Sequence, residues 1–317
     1  MRIKVLMGTL WASAVLWNPA VASDSQLRIV VPFQAGSATD AAARIIGDRL
    51  SVQMNRPVIV DNKPGAEGLI AAREVIKSNP SGDVMLFSTN TAITAINTFY
   101  PKPHYDPLTD LTPIARVADF PFLLVSRADL PFKDAGAFVE AAKAKSGTLN
   151  YASGSSSSLI AMTQLMGMAK LDMHHIPYNS EPPAVLDLMG GRIDVMFATP
   201  TTTKGFLAEK KLNALMTTSP TRLPQFPDVP TLTQAGFEEL ALLAWGGFFG
   251  PGGMSDETKE ELSRHITAAL KDPSLVEALA QHNITVNPSG PDEFTEFVKT
   301  QLQLSAQVVK ENNLMRQ

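Results

Sequence analysis

The sequence predicts an α/β fold built as two lobes, and three observations carry the prediction. From residue 23 onward, short β-branched or apolar runs alternate with helical patterns, the order that builds parallel sheets. A unit of strand, polar loop and helix recurs, around residues 29–50, 84–91, 149–168 and 193–203. At 317 residues the chain has room for two units of roughly 100–200 residues, and a fresh α/β series begins after Phe122–Val125.

The first unit sets the pattern. Ile29-Val30-Val31 is a continuous β-branched run, the mark of a strand buried on both faces. Pro32 to Ala38 cannot continue a central strand, because Pro32 lacks a ladder donor and Gly36 favours a turn. Ser37 or Thr39 can cap the following helix, with Asp40 in its first turn and apolar positions at Ala42, Ile45, Ile46 and Leu50. Free N–H groups and the positive dipole end then face the loop, an anion site in outline.

The remaining elements follow in order. Pro57–Asp61 reads as a strand, 62–68 as a turn, Leu69–Ser78 as a helix and Val84–Phe87 as a strand. Ser88-Thr89-Asn90-Thr91 repeats the polar loop; in an open parallel sheet such loops line one crevice. After an irregular 100–113 come strands 114–118 and 122–125, the second expected to cross into another domain, then helix 135–145. Strand 149–152 leads into the serine run Ser153-Gly154-Ser155-Ser156-Ser157-Ser158, read as a binding loop, and a Met-rich helix from Leu159 to Met168. A strand at 174–178, a helix from Pro182 to Met189 and a strand at 193–197 follow; a fourth polar loop, Ala198 to Thr203, opens a helix. Strands at 212–218 and 245–250 and helices at 255–270, 273–282 and 291–312 complete the chain.

The N-terminus reads as a leader. Arg2 and Lys4 precede an apolar run from Val5 to Trp17, Asn18-Pro19 breaks it, and Ala20-Val21-Ala22 gives the small-x-small pattern. Cleavage is expected after Ala22, releasing an exported protein that starts at Ser23. Hydrophobic residues make up 44% of the chain and charged residues 18%, with a net charge of −4; no Lys/Arg cluster signals nucleic acid. With no Cys, disulfides, thiolate catalysis and Cys-based metal sites are excluded. His174 and His175 are adjacent on a strand and face opposite sides, so they cannot chelate one metal; no metal or cofactor is expected. GxSxG, HExxH, Walker and dinucleotide motifs are absent, and a serine run without an identifiable base makes no nucleophile. No catalytic residue is assigned.

Ordered pieces along the mature chain resemble one family. They are IVVPF with TDAAAR (29–44), RPVIVDNKPGAEG (56–68), HYDPLTDLTPIARV (104–117), LNYAS (149–153), HIPYN (175–179), LDLMGGRIDVMF (186–197), LPQFPDVPTLTQAGF (223–237) and GFFGPGGM (247–254). With them the chain resembles the substrate-binding proteins of tripartite tricarboxylate transporters, the Bug family of extracytoplasmic receptors. It departs from them in the ligand loops: Gly36-Ser37-Ala38 stands where the family has a glycine run, the serine run replaces a Gly-rich segment, and Ala198 replaces an Asp.

The resemblance implies a type II periplasmic-binding-protein fold: two α/β lobes joined by two crossing strands, near 122–125 and 245–250. Lobe 1 would comprise 23–122 and 246–317, and lobe 2 123–245. It also implies a periplasmic monomer that clamps a small carboxylate or related solute and delivers it to membrane transporter subunits. The alternatives are a ligand-sensing receptor for a signalling partner or a hydrolase on the same scaffold. Backbone N–H groups near Gly36, Ser37, Ala38, Thr39 and Asp40, and near Ser153, Gly154, Ser155, Ser156 and Ser157, would hold the carboxylate. Thr89, Asn90 and Thr199 would complete the cage, with Phe33 as a wall. Asp40 either caps its own helix or receives a ligand amine.

Overall fold

The structure, a computed structural model, describes residues 26–315. The expected leader and its cleavage position after Ala22 lie outside the described residues. In chain order the strands are β1 (Leu27–Val31), β2 (Val58–Asn62), β3 (Val84–Thr89), β4 (Leu111–Asp119), β5 (Leu123–Arg127), β6 (Asn150–Ser153), β7 (His174–Pro177), β8 (Val195–Ala198), β9 (Leu212–Thr217), β10 (Trp245–Pro251) and β11 (Thr285–Ser289). The helices are α1 (Ala38–Met54), α2 (Leu69–Ile76), α3 (Ile96–Thr98), α4 (Ala135–Ala144), α5 (Ser156–Ala169), α6 (Glu181–Met189), α7 (Pro200–Ala208), α8 (Asp256–Ala269), α9 (Pro273–Ala280) and α10 (Pro291–Glu311).

Two sheets result, one in the order β11-β4-β10-β3-β1-β2 and the other β7-β6-β8-β5-β9. β1 runs parallel to β2 and β3, and Ile29, Val30 and Val31 are fully buried, as a both-faces-covered strand requires. β6 likewise runs parallel to β7 and β8. Each sheet contains one strand handed over by the other lobe. β5 arrives from the first lobe and pairs antiparallel with β8 and β9; β10 arrives from the second and pairs antiparallel with β3 and β4. Apart from the edge strand β11, the two sheets therefore share one order.

The crossings themselves are the connectors 120–122 and 218–244, lying side by side. Phe120 N–H donates to the Ala244 carbonyl at 2.8 Å and Phe122 N–H to Thr218 Oγ1 at 2.9 Å. Trp245, at the expected lobe boundary, pairs with Asp119 in the six-stranded sheet and meets Phe294 and Phe297 of α10 edge-on. The C-terminal helices return to the first lobe, α8 against α1 and α10 against β4.

Two differences from the sequence reading have physical causes. The polar stretches are scarcely loops. Ser88 and Thr89 still belong to β3, followed by a π-helical turn over Thr91–Ala95. The serine run ends β6 and then forms the cap and first turn of α5, because Ser155 and Ser158 make a reciprocal capping box. Strand β11 is absent from the sequence reading, since TVNPS lacks an apolar pattern; Pro288 is tolerated because β11 is an edge strand paired with β4 alone.

Candidate ligand-binding site

A cleft of about 360 Å³ lies between the lobes. Phe33, Ser37, Ala38, Thr39 and Thr89 of the first lobe face Gly154, Ser155, Ser157 and Thr199 of the second across it. Phe120, Phe122 and Ala244 of the connectors and Ser180 and Glu181 of the second lobe complete the lining. The polar strand ends and helix starts picked out in the sequence thus converge, as expected where the carboxyl ends of parallel strands meet. Gly36, Asp40, Asn90, Ser153 and Ser156 do not line this cleft, although Ser153 and Ser156 line an adjoining cavity of about 390 Å³.

At the first-lobe wall, Ser37 is the N-cap of α1 and accepts the Asp40 N–H at 3.2 Å. The N–H groups of Ala38 and Thr39, in the first turn, make no hydrogen bond among the described residues and belong to the cleft lining. Asp40 turns away and braces the loop. Its Oδ2 accepts the Gly36 N–H at 2.9 Å, its Oδ1 accepts Asn62 Nδ2 at 2.9 Å, and Arg44 pairs with it at 2.9 Å. Gly36 holds a left-handed φ of 84° there, natural for glycine. Burial opposes the Asp40 charge, but the bonds from Arg44, Gly36 and Asn62 hold its carboxyl below the usual range. Of its two expected roles, bracing its own helix is the one with hydrogen bonds.

At the second-lobe wall, Gly154 lies against the start of α6: a Cβ there would come within 2.7 Å of the Glu181 Cα and N. Ser157 reaches across the lobes. Its Oγ donates to Asn90 Oδ1 at 2.7 Å and lies 2.9 Å from Thr91 Oγ1. Asn90 therefore joins lobe to lobe instead of facing the cleft. Ser156 Oγ and Ser180 Oγ are buried without a hydrogen-bond partner among the described residues. Ser153 Oγ lies 2.7 Å from His175 Nε2, and the His175 ring stacks on Tyr151, so this pair links β6 to β7.

Glu181 is the ionisable side chain in the cleft lining, and no Arg, Lys or His accompanies it among the described residues. Its Oε2 accepts Thr199 N–H at 3.0 Å, Thr199 Oγ1 at 2.6 Å and Thr202 Oγ1 at 2.9 Å. An internal carboxylate thus occupies the start of α7, and the donors expected from Thr199 are already committed. Burial pushes the Glu181 pKa up, against the lowering effect of the Thr199 and Thr202 bonds. Sequence reading missed Glu181 and Ser180 because an acid in a first helical turn, before Pro182-Pro183, reads as a solvated dipole partner. Phe120 and Phe122 were missed as site residues because their role depends on the crossing.

The model of the tripartite tricarboxylate transporter family receptor, TctC, matches residues 42–314. The chain belongs to this family. The protein BugT of Bordetella pertussis is 31% identical over 318 residues, spanning 98% of this chain and 97% of BugT. Among solved structures, an R. palustris protein with adipate is 26% identical at a TM-score of 0.87, covering 91% of this chain and 97% of that one. MatC from Rhodopseudomonas palustris with bound malate is 27% identical at a TM-score of 0.82, covering 90% and 98%. As a TctC-family protein, the chain is a solute-binding receptor with the two-lobed fold of periplasmic binding proteins.

Proposed function

We propose that the chain is an exported, periplasmic receptor that closes its lobes on a small carboxylate and presents it to membrane subunits of a tripartite tricarboxylate-type transporter, without chemically altering it. The observation that carries this reading is the free N–H pair of Ala38 and Thr39 in a cleft with no basic side chain among the described residues. Such a site holds an anion by backbone donors and helix dipole. The family match, and the adipate and malate held by its structural neighbours, support a carboxylate and a transporter partner. Export is supported by the leader pattern at 2–22.

Closure is a hinge motion about the paired connectors, driven by contacts that exist in the closed form. The test is a thermal-shift screen of the chain from Ser23 against mono-, di- and tricarboxylates, with mass analysis of the recovered ligand. A binder at 100-fold over its dissociation constant should stabilise by about 2.7 kcal/mol, a few degrees for a chain of this size, and be recovered unchanged. No shift from any carboxylate, or recovery of a converted product, contradicts the reading.

A further inference from the structure

We infer that Glu181 sets the ligand class: the end of the solute remote from its captured carboxylate carries a hydrogen-bond donor, an ammonium or hydroxyl, and not a second carboxylate. The inference rests on the carboxylate-receptor reading above and adds the chemistry of the other end. Glu181 spends Oε2 on three donors at the start of α7, from Thr199 and Thr202, while among the described residues Oε1 accepts no hydrogen bond and it is not a fully buried atom. Beside it, Ser180 Oγ is fully buried, lines the same cleft and has no partner. A free acceptor at the cleft and a buried hydroxyl left unmatched beside it call for a ligand group that completes them.

The acceptor geometry points to which group. With Oε2 accepting three donors, Glu181 serves as an acceptor, and among the described residues no Arg, Lys or His lines the cleft, so a second ligand carboxylate would set acceptor against acceptor with no counter-cation. An ammonium instead donates to both Oε1 and Ser180 Oγ, and a hydroxyl donates to Oε1 while accepting from Ser180 Oγ. The capture end stays at α1, where the Ala38 and Thr39 N–H groups are free. The two ends of the site thus demand opposite hydrogen-bonding characters, which is how a small polar cleft discriminates among solutes of equal size.

The test is isothermal titration of the chain from Ser23, and of its Glu181→Gln variant, with propionate-to-hexanoate series of ω-methyl, ω-hydroxy, ω-amino and ω-carboxy acids. The wild-type chain should bind the best amino or hydroxy acid at least about tenfold tighter than the methyl and carboxy analogues of equal length. The amino and hydroxy arms separate ammonium from hydroxyl. In Glu181→Gln the preference for the ammonium should collapse and the dicarboxylate should gain at least about tenfold. A dicarboxylate bound tightest by the wild-type chain overturns the inference, as does a ranking that Glu181→Gln leaves unchanged; either result leaves the carboxylate-receptor reading standing. The wild-type ranking decides by itself if the variant does not fold. Binding of none of these acids overturns this inference, and the wider carboxylate screen above decides the receptor reading separately.

Discussion

Asp40 and Glu181 are both buried acids near the cleft, and they respond to pH in opposite directions. Asp40 is held below its ordinary pKa in the folded state, so its contribution to stability is present above the unfolded aspartate range and is lost as pH falls through the folded value. Glu181 is pushed above its ordinary pKa, so its contribution is present below the unfolded glutamate range and is lost as pH rises through the folded value. Urea midpoints of the unliganded chain across pH should show both arms. Asp40→Asn should flatten the acid arm and destabilise at neutral pH by about 1–3 kcal/mol through loss of charged hydrogen bonds. Glu181→Gln should flatten the arm above the glutamate range. An unchanged pH profile in either variant contradicts the assignment. Gly154 gives a steric prediction: with Glu181 backbone 2.7 Å from the new Cβ, Gly154→Ala should lower the melting point by an amount equivalent to about 1–3 kcal/mol, and a melting point equal to wild type would contradict that packing.

At this scale the sequence was legible where the chemistry is local. The Ser37 cap and Asp40 in the first turn follow from neighbouring residues. The Glu181–Thr199 pairing joins the first residue of α6 to the N-cap of α7, and nothing in either segment alone indicates it. The same holds for Asn90 and Ser157, both picked out as ligand residues but bonded to each other; a polar side chain at a strand end looks the same whether it meets solute or the opposite lobe.

At the scale of elements, the site is made of helix starts. The first turns of α1 and α5, with the caps of α6 and α7, border one cleft; α5 and α7 follow their strands almost directly, whereas the loop 32–37 separates β1 from α1. The alternation of apolar runs and helical periods was enough to find the elements lining the cleft, since buried parallel strands need continuous apolar sequence. Edge strand β11 was not legible, because pairing on one side asks little of its sequence.

For the whole molecule, the crossings give each sheet one antiparallel strand from its neighbour, and the paired 120–122 and 218–244 connectors join the lobes. The bonds from Ser157 to Asn90 and Thr91 join one lobe to the other. Ser157→Ala should therefore weaken ligand binding about fivefold, the equivalent of one net hydrogen bond, and increase the unliganded radius of gyration in small-angle scattering; a radius and affinity equal to wild type would mean these bonds do not hold the lobes together.

The central claim is capture of a carboxylate by the backbone of α1, and Ala38→Pro tests it most directly. Ala38 is the first residue of α1, preceded by Ser37 in extended conformation with φ −72° and ψ 160°, so proline fits there and the helix survives while one N–H is removed. The measurement is a titration of wild type and Ala38→Pro with the tightest carboxylate from the screen. The account predicts a melting point near wild type and affinity at least about tenfold weaker. A folded variant that binds as tightly as wild type would contradict it, and the capturing donors would have to be sought elsewhere in the cleft.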